Sequence, residues 1–165
     1  MKIAVALIHL VFATTWLGTD FYFNFVVTPR LRTLEPSILG QVTTSLRRVT
    51  TPLLAASAIV TIVTGVWMMA QLHAQHPGQF SSTRWGTSLL IGAVFSLLVL
   101  LLAAAVDRPT TKKLGRLVES FGARAATAEE TVEMSRLSER SILIGRVATV
   151  LLLVALATMA VARYS

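Results

Sequence analysis

The chain has 165 residues, of which 54% are hydrophobic and 14% charged, with a formal net charge of +7. A mean hydropathy of +0.68 describes one membrane domain rather than an ordinary soluble domain of this length. With no cysteine in the sequence, disulfides, thiolate metal sites, iron–sulfur clusters and covalent c-type haem attachment are excluded, so His, Met and oxygen are the ligands left for any cofactor.

A bilayer core of roughly 30 Å asks about 20 apolar residues of each helix that crosses it. Four runs meet that demand: Ile3–Val27, Thr50–Leu72, Trp85–Val106 and Ile142–Ala162. Lys2 before the first run resembles the start of a signal peptide, but the stretch is too long and lacks a small-residue cleavage site, so it reads as a helix. The expected fold is all-α, an integral membrane four-helix bundle in a single transmembrane domain. Its helices are predicted at about 3–28, 37–73, 85–108 and 128–163, with an amphipathic cytoplasmic segment at about 110–126.

The connections carry the orientation. Arg30, Arg32, Arg47 and Arg48 lie between the first two runs, and Arg108, Lys112, Lys113, Arg116, Arg124, Arg136 and Arg140 lie between the last two, against Arg84 alone in the middle connection. The positive-inside rule then makes the first and third connections cytoplasmic and puts both termini outside a bacterial-type inner (plasma) membrane. This segregation also accounts for the isoelectric point of 11.1, so nucleic acid is not an expected partner. Partners to expect are the lipid bilayer, a redox partner or larger membrane complex, and further copies of the chain.

Both basic connections read as helical extensions. Leu34-Glu35-Pro36 is a favourable helix start, and a helix from Ser37 to Arg48 runs on into the second span, with Pro52 a predicted kink. Leu114, Leu117, Val118 and Phe121 fall at helical spacing beside Lys112, Lys113 and Arg116, which suits a segment on the membrane surface or against the helix extensions. Thr127 and Glu130 form a capping-box pattern that starts the fourth helix well before the bilayer. The His73–Arg84 connection holds Pro77-Gly78 and reads as a true loop.

Polar residues are costly within hydrocarbon, so they mark the first places to look for function. His9, Ala13, Trp16, Asp20 and Asn24 share one face of the first helix, which must point into the bundle. Ser57, Thr61, Gly65, Met69 and His73 recur every fourth residue of the second helix, a stripe that is small in its middle and ligand-capable at its outer end. His9 lies 19 residues from Thr28 and His73 lies 23 from Thr50, a height difference of about 6 Å at 1.5 Å per residue.

The two imidazoles are therefore candidate axial ligands of one b-type haem lying over Gly65, with Arg84 and Trp85 placed to meet its propionates. His76 competes with His73 as a metal ligand. Met68 and Met69 beside these histidines also suit copper(I), although both are ordinary core residues, and Trp16, Trp67 and Trp85 are ordinary packing or interfacial residues. Asp20 and Arg146 fall at matched depth and are expected to form a buried charge pair, with a proton relay through Asp20 as the functional alternative. No phosphate-binding Gly loop, no His-Glu-x-x-His and no nucleophile–base pair occurs in the sequence.

The stretch His9-Leu-Val-Phe-Ala-Thr-Thr-Trp16-Leu-Gly18-Thr-Asp-Phe-Tyr22 resembles the first-helix motif of the CopD-like copper-resistance membrane proteins and of the HemJ-type protoporphyrinogen oxidases. The likeness continues at Leu46-Arg47-Arg48 with Pro52 and at Thr64-Gly65, covering about half the chain. The oxidase branch implies b-type haem held by the first-helix His, here His9. That branch also expects a third-helix Lys a few residues after a Trp, whereas Trp85 is followed by Gly-Thr-Ser-Leu-Leu with no Lys in the helix. The CopD branch implies copper movement through His9, Met68, Met69, His73 and His76. Three functions are thus in view: a membrane haem b protein with an electron-transfer role, a CopD-like copper protein, and a non-catalytic subunit of a larger membrane complex.

Overall fold

The structure is a computed structural model, and it describes residues 2–31, 33, 36–75, 77, 82–121 and 127–162. The fold is all-α, four long helices packed as a bundle, each long and apolar enough to span a membrane. The first begins as α1 (Lys2–Tyr22), passes through a π-helical turn at Phe23–Val27 and ends in α2 (Thr28–Leu31). The second is α3 (Pro36–Gln75), which stays helical through Pro52. The third is α4 (Arg84–Leu102), continued through a second π-helical turn at Ala103–Asp107 into α5 (Arg108–Phe121), and the fourth is α6 (Ala128–Val161).

Local chemistry sets where these helices begin. Thr83 Oγ1 accepts from the Gly86 N–H at 3.2 Å and so caps α4. At α6 the capping box closes both ways: the Thr127 N–H donates to Glu130 Oε2 at 2.8 Å and the Glu130 N–H donates to Thr127 Oγ1 at 3.3 Å. Within the spans, hydroxyls donate back to carbonyls one turn earlier, as Thr64 does to Val60 and Ser96 to Gly92. No polar hydrogen is then presented to hydrocarbon at those positions.

Helix length exceeds what a bilayer needs. The 40 residues of α3 extend for about 60 Å at 1.5 Å per residue, twice a hydrocarbon core of roughly 30 Å. Ile3, Val63, Val66, Leu101 and Leu143 are all exposed, an arrangement suited to lipid rather than water. Arg30, Arg48, Arg108 and Arg140 are exposed together at one end of the bundle, hereafter the basic end.

The most extensive packing is α1 on α3 and α4 on α6, while α1–α6 and α3–α4 contacts are lighter. The four helices therefore close as two tightly packed pairs. Trp16, Ala58, Val99, Ala148 and Leu152 form the shared core and come from all four spans. Of the two placements open to the basic amphipathic segment, the structure has the one against the extension: α5 packs along α6, where Lys113 Nζ lies 2.7 Å from Glu133 Oε1.

Close approach of α4 and α6 depends on Gly92. A Cβ at that position would stand 2.7 Å from Met159 Cγ and 3.1 Å from the Ala155 carbonyl oxygen, which is backbone and cannot turn aside. Gly92→Val should therefore lower stability by about 1–3 kcal/mol through overpacking, read as a fall in the denaturation midpoint of the detergent-solubilised chain. An unchanged midpoint would mean that the α4–α6 pair does not pack this closely.

Candidate functional site

His9 is the polar centre of the α1–α3 interface. Its Nδ1 lies 3.0 Å from the Thr61 carbonyl oxygen and 3.0 Å from Thr64 Oγ1. A carbonyl can only accept, so Nδ1 carries the proton and donates. Thr64 is compatible with this, because its own hydroxyl hydrogen goes to the Val60 carbonyl at 2.6 Å, leaving a lone pair for His9. In the neutral ring the lone pair then resides on Nε2, the arrangement found where a metal-bound histidine is steadied by a backbone carbonyl on its other nitrogen.

The small middle of the α3 stripe has a specific use. A Cβ on Gly65 would stand 3.1 Å from His9 Cε1 and 3.6 Å from its Nδ1, so the imidazole itself lies against the glycine. The structure thus brings His9, Thr61, Thr64 and Gly65 together. It does not bring His9 to His73, an exposed residue in the last turn of α3. His73 is eight residues beyond Gly65, about 12 Å further along the helix.

The remaining candidates are dispersed. Met68 and Met69 are half-buried, Trp16 is buried in the shared core, and Arg84 is exposed at the first residue of α4. His76 lies outside the described residues. Among the described residues, no group of three or more His, Asp or Glu is placed to hold a metal ion.

A second polar cluster lies nearer the basic end. Thr149, which is fully buried, donates to Asp20 Oδ2 and accepts from Asn24 Nδ2 at 3.1 Å; its hydroxyl also lies 3.0 Å from the Gly145 carbonyl. Asn24 Nδ2 in addition donates to the Asp20 carbonyl at 3.0 Å. Gly145 makes room for Asn24, since any Cβ there would collide with the amide. Close by, Ser141 donates to Asp107 Oδ1 at 2.8 Å, and Asp107 is near enough for its charge to act on Asp20.

The expected Asp20–Arg146 pair is not formed. Arg146 is exposed, because α6 turns Gly145, Thr149 and Leu152 inward and leaves residue 146 about 100° around the helix. Matched depth located the right turn of α6 but the wrong face of it. Thr149 solves the burial of Asp20 by hydrogen bonding rather than by countercharge. The signal for it was available as Gly145 and Thr149 at a spacing of four, small and polar, opposite Asn24.

Comparison with protein families, with curated proteins and with solved structures finds no match for this chain. The geometry of the Asp20 cluster is directly testable. Thr149→Val leaves the Asp20 carboxyl and the Asn24 amide without their shared hydroxyl and should cost about 1–3 kcal/mol of stability, whereas Arg146→Gln should change it by less than about 0.5 kcal/mol, as at other exposed sites. The reverse order of sensitivity would restore the charge pair.

Proposed function

We propose that this chain is a multi-pass membrane protein that binds b-type haem through His9 Nε2 and serves in electron transfer. The observation that carries the reading is the His9 ring itself. Its Nδ1–H is committed to the Thr61 carbonyl and Thr64 Oγ1, so the free lone pair is on Nε2. The resemblance of the His9–Tyr22 stretch to the CopD-like and HemJ-type motif supports it, because the motif histidine of the oxidase branch is the haem ligand and corresponds to His9. With no Lys in α4, the proposed role is electron transfer rather than porphyrinogen oxidation.

The donor chemistry fits haem at His9, while two features of the earlier expectation do not carry over. His9 already covers Gly65, and His73 stands two turns away, so the group is proposed to approach Nε2 from outside the Gly65 contact with no contribution from His73. Bound haem would supply one-electron redox chemistry. The chain's part is to fix the imidazole plane and tautomer, through Thr61 and Thr64, and to surround it with the apolar walls of α1 and α3. By the positive-inside rule the basic end faces the cytoplasm, which puts both termini and His9 toward the outer side.

Purified protein reduced with dithionite should show a Soret band and a sharp alpha band, with iron rather than copper by elemental analysis. His9→Ala should abolish the spectrum while the protein remains monodisperse, and His73→Ala should retain it. Well-folded protein without iron contradicts the proposal; copper without iron favours the CopD-like alternative.

A further inference from the structure

The charge that the Asp20 cluster leaves over is Arg146. It is the fifth residue of the apolar run Ile142–Ala162, and α6 turns it outward while Gly145 and Thr149 face α1. Its surroundings on that outer face are apolar: Leu143 is 64% exposed, Val147 43% and Val150 52%. In a membrane span these are lipid-facing positions, so the side chain leaves the backbone inside the hydrocarbon. A cation there is tolerated only if an anion or water can be reached.

The chain itself does not supply the anion. Among the described residues Arg146 forms no ion pair. Of the eight acidic residues, only Asp20 falls within the four apolar runs, and Asp107 directly adjoins one. Both are taken, by Thr149 and Ser141, so a second copy of the chain brings no free carboxylate to that depth. Glu139 shares the outer face seven residues earlier, about 10 Å nearer the basic end. Side chains on a helix lean toward its N-terminus, and Glu139 therefore leans away from Arg146.

The same lean decides where the Arg146 guanidinium goes. The N-terminus of α6 is at the basic end, where Arg30, Arg48, Arg108 and Arg140 are exposed. Arg140 is six residues earlier, about 9 Å along the axis. Leaning that way, the Arg146 stem lies over Ile142 and Leu143 and its head rises to the headgroup layer. Phosphate is the anion of that layer, and the guanidinium fork matches two phosphate oxygens at once. A zwitterionic headgroup neutralises its phosphate with its own ammonium, whereas an anionic headgroup leaves the charge to be met by the protein. The four boundary arginines, which form no ion pair among the described residues, draw such lipids to this leaflet.

We propose that Arg146 anchors an anionic-lipid site on the outer face of α6, binding the phosphate of a net-negative phospholipid in the leaflet at the basic end. The acyl chains run from there along Val147, Val150 and Val154, all exposed. The site does not depend on what His9 binds. It lies outside the fold, in keeping with the small effect on stability expected of Arg146→Gln.

The test uses the full chain reconstituted in vesicles of equimolar phosphatidylcholine and phosphatidylglycerol, extracted in mild detergent and weighed intact by native mass spectrometry. Wild-type protein should retain phosphatidylglycerol in preference to phosphatidylcholine, and Arg146→Gln should lower that preference about tenfold, the weight of one charge-assisted contact. Should the glutamine disturb insertion, Arg146→Leu, apolar like its neighbours, should give the same loss. Arg116→Gln removes an equal charge further along α5 and should leave the preference unchanged; an equal loss there would mean bulk attraction alone and would overturn the site. Soluble glycerol phosphate should not displace the lipid, and displacement would replace it with a small-anion site. Unchanged retention in the Arg146 variants would also overturn the proposal, and a change in oligomeric mass alongside it would assign Arg146 to a protein contact.

Discussion

Asp20 sits on a helix surrounded by hydrocarbon, and its carboxyl can be tolerated only if the bundle itself supplies hydrogen-bond partners. That requirement fixes α6 rotationally, since Thr149 must face α1. It also fixes how closely α1 and α6 approach, since Asn24 reaches Thr149 only over a glycine at 145. The lighter α1–α6 contact is thus specified by polar groups, whereas the heavier α1–α3 and α4–α6 pairs are specified by shape, with Gly65 and Gly92 at their closest points. Shape sets affinity between helices in lipid, and hydrogen bonds set register.

The same requirement governs His9. In water an imidazole can turn and exchange partners freely, but between two apolar helices it takes the orientation that its hydrogen bonds allow. The Thr61 carbonyl and Thr64 hydroxyl hold one nitrogen, and the Cε1–Nδ1 edge of the ring lies against Gly65. The orientation and tautomer of His9 are thereby set by two uncharged partners. The bundle interior is therefore polar at two levels, with Trp16 of the shared core between them.

Much of this was legible in the sequence, and the failures have a common cause. The four spans followed from hydropathy, the capping box from Thr127 and Glu130, and the inward stripe of α1 from its spacing. Each is a property of one helix. Contacts between helices depend on rotation and register, which a few residues of uncertainty at each helix end can spoil. Asp20 was matched in height to Arg146, but a rotation of about 100° per residue separates that position from Gly145. His73 was measured from an assumed membrane boundary at Thr50, whereas the height of α3 against α1 is set by His9 meeting Gly65. The π-helical turns were invisible because no residue type marks them.

The most direct test of this account is the tautomer of His9, which the 15N chemical shifts of its two ring nitrogens report in the full chain embedded in lipid. The bundle described here requires the proton on Nδ1, donated to α3, with Nε2 as the unprotonated nitrogen or a metal-bound one. A ring protonated on Nε2 alone would contradict it, because Nδ1 could then no longer donate to the Thr61 carbonyl and the α1–α3 register would lose its polar anchor.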